Sequence, residues 1–237
     1  MQQTETHPDY AEVAAILPAL NEAESLRRLL PELATFRLGQ IIVGDNGSTD
    51  ETAQVVREHG GLVAHEPRRG YGAACWAAMQ HLRSDIRVVL FLDADSSDDL
   101  TRLPDLVRPI LRDEADLVIA TRDAPTVEKG ALTFQQRFGN RLAVWLMRMR
   151  WGYRYRDLGP FRAIRRESLD RIQMRDRAFG WTVEMQIRAL QEKLRIDQVS
   201  VHYKRRIGKS KIGGTIRGSI KAGYWILSTI ARHWRAT

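Results

Sequence analysis

Val88-Val89-Leu90-Phe91-Leu92-Asp93-Ala94-Asp95 is an unbroken run of strand-forming apolar residues that stops at two carboxylates one residue apart. A strand apolar at every position has no solvated face, so it belongs in the middle of a parallel sheet covered on both sides. Ionised side chains do not enter such a core. Asp93 and Asp95 therefore sit where the strand leaves it, at the edge where open α/β sheets hold ligands. Two carboxylates this close raise each other's pKa unless a cation neutralises them, and hard oxygen donors of this kind suit Mg2+ or Mn2+ carrying a phosphate-bearing substrate. The competing reading is a pair of helix caps, since Ser96 to Asp99 can open the helix that follows.

The rest of the first half has the same character. Val13 to Leu17, Ile41 to Val43, Leu62 to His65 and Leu117 to Ala120 read as further strands. Between them lie helical patterns: Leu26, Leu29, Leu30 and Leu33 share one face, and Tyr71 to Leu82 forms another helix. Pro31 should kink or end the first of these helices early. Ser48 and Glu51 have capping-box spacing for a helix through about His59. This β-α alternation with short connections predicts an α/β fold with a mostly parallel sheet and helices on both faces. After Thr121 the pattern loosens: Phe134 to Met149 and Val183 to Glu192 read as helices, Phe161 to Ile164 as an extended piece and Ile196 to His202 as a strand.

The 237 residues carry no internal repeat or low-complexity linker, so one domain is expected. Cys75 is the only cysteine, which excludes an intrachain disulfide. With no segment resembling a signal peptide, a cytoplasmic protein is expected. The net charge of +8 is unevenly placed: Lys204 to Thr237 holds nine bases and no acid. Such a tail seeks polyanions, whether nucleic acid, a phosphate-bearing ligand or an anionic membrane surface. Ile216, Ile220, Leu227, Ile230 and Trp234 fall near one helical face, as in a helix lying in the headgroup region. Packing against the protein itself is the alternative.

Three loops follow strands that run the same way, and so converge: Leu17-Pro18-Ala19-Leu20-Asn21-Glu22, Gly44-Asp45-Asn46-Gly47-Ser48-Thr49-Asp50, and Asp93 to Asp99. Acids and amides suit a base and ribose, while backbone N–H groups and a metal suit a diphosphate. Arg69-Gly70-Tyr71-Gly72 adds a loop entering a helix, whose positive end can approach phosphate.

In this order and spacing, the four segments resemble the family 2 glycosyltransferases, which have the GT-A nucleotide-sugar fold. The resemblance implies that Pro18, Ala19, Glu22, Asp45 and Ser48 contact the nucleoside, with Asn21, Asn46, Gly72 and Ala94 beside them, and that Asp93 and Asp95 hold the metal and diphosphate. Asp157-Leu158-Gly159-Pro160-Phe161-Arg162 and Arg205-Arg206-Ile207-Gly208-Lys209-Ser210-Lys211 are similar to segments of the dolichyl-phosphate mannose synthase branch. On that likeness Arg122, Arg137, Arg205 and Lys211 bind a lipid-linked phosphate. Three departures stand out: Asn46 for a second aspartate, Gly159-Pro160 for a Ser-Gly step, and Ser97 where a glutamine metal ligand is common.

The expected protein is thus a GT-A domain over residues 1–212 with a basic amphipathic segment at 213–237. The expected reaction is inverting, metal-dependent transfer of a hexose from a nucleoside-diphosphate sugar to a polyprenyl phosphate, at the cytoplasmic face of the membrane, on its surface or beside a membrane-embedded partner. Asp93, Asp95 and Arg205 are the expected catalytic residues. An acceptor phosphate is already ionised and needs positioning rather than a base. A sugar hydroxyl would instead need a carboxylate, with Asp157 or Glu184 as candidates; Glu184 otherwise reads as a helix-surface acid. A nucleic-acid-binding protein with a basic arm would account for the tail, but leaves the acidic pair and the convergent loops without a purpose, so nucleic acid is not an expected partner.

Overall fold

The computed structural model describes residues 10–122, 127–128, 130–207 and 216–235. Seven strands form one sheet in the order β3-β2-β1-β4-β6-β5-β7. They are β1 (Val13–Ala19), β2 (Gln40–Asp45), β3 (Leu62–His65), β4 (Val88–Phe91), β5 (Leu117–Thr121), β6 (Arg162–Arg165) and β7 (Ile196–Ser200). All run parallel except β6, which pairs antiparallel with β4 on one side and β5 on the other. The expected α/β fold with a mostly parallel sheet is present. The reversed strand is the extended piece expected near Phe161, whose apolar residues gave no sign of direction.

The helices are α1 (Ala23–Ala34), α2 (Thr52–Glu58), α3 (Tyr71–Met79), α4 (Leu103–Leu111), α5 (Phe134–Trp151), α6 (Arg166–Ile172), α7 (Trp181–Gln191) and α8 (Ile216–Arg235). One apolar cluster joins Leu26, Leu29, Leu30 and Leu33 of α1 and Leu106 of α4 to Val13, Ala15, Leu17, Val43 and Leu90. A second, built on the alternate strand residues Ile16, Ile42, Val89 and Phe91, packs against α3, α5, α6, α7 and Ile230 of α8. Both faces of the sheet are therefore covered, which is what continuous apolar strands require. Burying such surface at roughly 25 cal/mol per Å² is the main stabilising term.

Two local expectations give way. Pro31 lies inside α1, which runs on to Ala34. The proline is exposed while Leu29, Leu30 and Leu33 are buried, so the missing hydrogen bond falls on the solvent side and packing holds the helix. Ser48 does not cap α2, which starts at Thr52; Asp50 Oδ1 accepts the Thr52 N–H at 3.0 Å instead.

The second half of α8 packs on the domain. Thr229 and Ile230 are buried, Trp234 meets Trp151 edge-on at 6.1 Å between centroids, and Arg232 pairs with buried Asp176 at 3.0 Å. The boundary expected at 212–213 lies outside the described residues, as do Gly208, Lys209, Ser210 and Lys211. Among the described residues no helix is long and apolar enough to cross a membrane.

Candidate active site

Strands β1, β2 and β4 end side by side, with Ala19 opposite Asp45 and Ile16 opposite Phe91. Chain order reverses here, β2 lying on one flank of β1 and β4 on the other, and the carboxyl ends of strands at such a switch point are where open α/β sheets hold ligands. Pro18 and Ala19 are the last residues of β1. The loops after β1 and β2 are tied together. Ser48 Oγ accepts the Asn21 N–H at 2.9 Å, Asn21 Oδ1 accepts the Thr49 N–H at 2.7 Å, and Thr52 Oγ1 accepts the Glu22 N–H at 2.9 Å. Asn21 takes a left-handed φ of 53°, which asparagine tolerates better than most residues. Buried Asp45 accepts the Ser48 N–H through Oδ1 at 2.9 Å, and its Oδ2 lies 3.7 Å from His65 Nδ1. Asn46 organises the next loop: its Nδ2 donates to the Glu66 and Arg68 carbonyls at 3.1 and 2.8 Å, and its Oδ1 accepts the Gly70 N–H at 2.8 Å. An aspartate could not make the two donations, so the departure at Asn46 fits a loop-positioning role.

The acids form a trio rather than a pair. Asp93 is half-buried, Ala94, Asp95 and Asp98 are buried, and Asp98 Oδ2 accepts the Asp93 N–H at 3.2 Å. Burial first, and the Asp95 charge second, push the Asp93 carboxyl up to about 7. Asp98 is also driven well above the usual range by burial and by both neighbours. The same field reaches Tyr71 and Cys75, raised by burial and then by Asp93. Such excess negative charge, presented by hard oxygens, fits a divalent cation at Asp93 and Asp95. Among the described residues no group of three or more His, Cys, Asp or Glu side chains could hold a metal ion. Further ligands must then come from phosphate and water, as is usual for Mg2+. Ser97, in place of glutamine, donates through its N–H and its hydroxyl to Asp95 Oδ1 at 3.0 and 2.5 Å, and its Oγ lies 3.1 Å from the Tyr203 hydroxyl.

The basic loop meets this cluster through Arg206. Its guanidinium lies 3.0 Å from Glu22 Oε1 and 3.3 Å from Asp95 Oδ2, and the Ile207 N–H donates to the Asp95 carbonyl at 3.0 Å. Arg205 is exposed, and its backbone N–H donates to Glu128 Oε2 at 2.8 Å. The motif match selected Arg205; its neighbour Arg206 reaches Glu22 and Asp95. Arg137 is exposed on the first turn of α5.

Arg122, at the end of β5, forms a two-pronged pair with Asp157, from Nε at 2.7 Å and Nη2 at 2.9 Å, and lies over the Tyr203 ring at 5.1 Å. Burial alone would raise the Asp157 carboxyl, but Arg122 outweighs it and holds the carboxyl below the usual range. Asp157 is therefore not poised as a base. Glu184 is not a surface acid either: it is buried, accepts the Arg175 and Asp176 N–H groups at 3.0 and 2.6 Å, and pairs with Arg188 at 2.8 Å. Its oxygens are engaged in holding the 175–176 loop on α7.

Gly72 is also placed differently from the expectation. Its N–H and that of Ala73 donate to the Ala178 and Arg177 carbonyls at 3.0 and 2.9 Å, so the start of α3 is satisfied by protein rather than offered to phosphate. A Cβ on Gly72 would lie 2.3 Å from the Asp176 carbonyl oxygen. Close approach of two backbones is what this glycine permits. Asp98, Arg206 and Tyr203 were missed because only tertiary contacts bring them to the site.

The family model for glycosyl transferase family 2 matches residues 14–173. A glycosyltransferase of Mycobacterium tuberculosis is 38% identical over 212 residues, covering 89% of this chain and 94% of that protein. A dolichyl-phosphate hexose transferase of Haloferax volcanii is 29% identical over 215 residues, covering 87% of this chain and 89% of that protein. Among solved structures, glucosyl-3-phosphoglycerate synthase of M. tuberculosis in complex with Mn2+, uridine diphosphate and glucosyl-3-phosphoglycerate is similar with a TM-score of 0.75 and 20% identity, covering 93% of this chain and 79% of that chain. At such identity the likeness is one of fold.

Proposed function

The chain belongs to glycosyl transferase family 2, and we propose that it transfers a hexose, with inversion, from a nucleoside-diphosphate sugar to a polyprenyl phosphate. The observation that carries this reading is the state of Asp157: locked to Arg122 and held ionised, it is engaged by a cation rather than poised as a base. A phosphate acceptor is an anion near neutral pH and needs no base, only positioning. Similarity to the dolichyl-phosphate hexose transferase supports the same choice.

Pro18, Ala19, Asn21, Glu22, Asp45 and Ser48 line the nucleoside side of the site, with Asn46 holding the loop behind them. Asp93 and Asp95 would hold Mg2+ or Mn2+, with Ala94 between them. Mn2+ accompanies uridine diphosphate in the structurally similar synthase. When bound, such a cation offsets negative charge growing on the leaving diphosphate, more strongly in the transition state than in the ground state. Arg122, Arg137, Arg205 and Lys211 orient the acceptor phosphate through charge-assisted hydrogen bonds. Arg206 joins this set, bridging the donor-side Glu22 and Asp95. A lipid acceptor places the enzyme at a membrane surface.

The test pairs uridine- and guanosine-diphosphate hexoses with three acceptors: a short prenyl phosphate, 3-phosphoglycerate and a simple sugar. Nucleoside diphosphate release that depends on the prenyl phosphate supports the reading. Release driven better by phosphoglycerate or the sugar overturns it.

A further inference from the structure

Helix α5 has two apolar faces, and only one is buried. Ala143 and Met147 point into the core. On the opposite side Phe134, Phe138, Trp145 and Met149 are 73%, 60%, 54% and 64% exposed. At about 100° per residue these four and half-buried Leu142 fall within an arc of roughly 80°. Arg137, Arg141 and Arg148, all exposed, fall in the adjoining arc, and α5 contains no acid. Core packing explains the first face, and among the described residues nothing covers the second. The neighbouring α8 shows the same chemistry, with Tyr224 67% exposed and no acidic residue.

We infer that this face of α5 docks the enzyme on an anionic lipid bilayer, its aromatic side chains entering the headgroup region and Arg141 and Arg148 meeting the lipid phosphates. An aromatic stripe flanked by bases without acids is what such a surface attracts. An apolar partner protein alone would give no reason for the uniform positive charge. Position agrees: Asn140 of α5 accepts the Leu158 N–H at 3.0 Å, next to the Asp157 that holds Arg122. The docking face lies across α5 from this contact, one helix diameter, roughly 10 Å, from the proposed acceptor side. The inference deepens the polyprenyl phosphate reading and rests on it for its purpose, although binding to lipid can be read without any acceptor.

The experiment is co-sedimentation of the full chain with vesicles of phosphatidylcholine, with and without phosphatidylglycerol, containing no polyprenyl phosphate. Wild type should bind the anionic vesicles and release in high salt. Both F138D/W145D and R141E/R148E should bind at least about tenfold more weakly. Because the replaced side chains are exposed, thermal midpoint and transfer to a short water-soluble prenyl phosphate should stay unchanged. Failure of wild type to bind anionic vesicles, or equal binding by both variants, overturns the inference. So does a wild-type dimer that F138D/W145D converts to monomer in light scattering, since the face is then an interface between copies. Vesicle binding without prenyl phosphate transfer would sink only the acceptor reading.

Discussion

Replacing Asp93 by asparagine should stabilise the protein when divalent cations are removed and abolish the stabilisation that cations and nucleotide confer. The folded carboxyl titrates near 7 rather than at 3.8, because it is part-buried beside Asp95. Folded protein therefore binds more protons than unfolded protein between these values, and stability falls as pH rises through that window. Above it the deficit is complete; below about pH 4 it vanishes. At about 1.4 kcal/mol per pKa unit, the rise corresponds to about 4 kcal/mol, and partial solvent access reduces this to about 2 kcal/mol. For a domain of this size that is a midpoint increase of roughly 4 to 8 °C for Asp93→Asn in chelator near pH 8. Adding Mn2+ with uridine or guanosine diphosphate should reverse the order, since a ligand at a hundredfold excess over its dissociation constant adds about 2.7 kcal/mol to wild type alone. Scanning calorimetry across pH, with and without metal and nucleotide, measures both effects. A variant less stable than wild type in chelator near pH 8, or one stabilised equally by metal and nucleotide, would refute the electrostatic argument.

Asp95→Asn should abolish transfer while leaving the fold intact by circular dichroism, and EDTA should stop wild-type turnover until Mg2+ or Mn2+ is restored. Arg205→Ala should lower transfer to prenyl phosphate by roughly tenfold to a hundredfold, the worth of a charge-assisted hydrogen bond, with calorimetric donor affinity nearly unchanged. Gly72→Ala should cost at least about 2 kcal/mol in denaturant unfolding, because its Cβ would press on the Asp176 carbonyl oxygen at 2.3 Å.

The sheet was legible because β1, β2, β4 and β5 are buried on both faces and carry the apolar runs that this demands. Their shared direction then followed from the intervening helices, and the convergence of the three loops followed from direction. The reversal of β6 was not legible, since a buried strand has the same composition whichever way it runs. Helix α6 is a single seven-residue segment, too short for a periodic signal. Ser48 shows where local pattern misleads: Ser-x-x-Glu spacing matches a capping box, yet the hydroxyl serves Asn21 on another loop. Glu184 read as a surface acid because sequence cannot register the 175–176 loop folding over α7. Asp98 and Arg206 adjoin recognised residues, but their approach to Asp93 and Asp95 depends on backbone contacts, such as Ile207 with Asp95, that only the folded chain makes.

The proposed reaction joins the anomeric carbon of a hexose to an acceptor phosphate oxygen, and the structure of the product reads that bond. Purified protein, Mn2+, an α-linked nucleoside-diphosphate hexose and a polyprenyl phosphate should yield a lipid whose mass has grown by one hexose and whose sugar, by NMR, is β-linked through phosphate. A product with the hexose on a hydroxyl, or with the α configuration retained, would rule out inverting transfer to a phosphate.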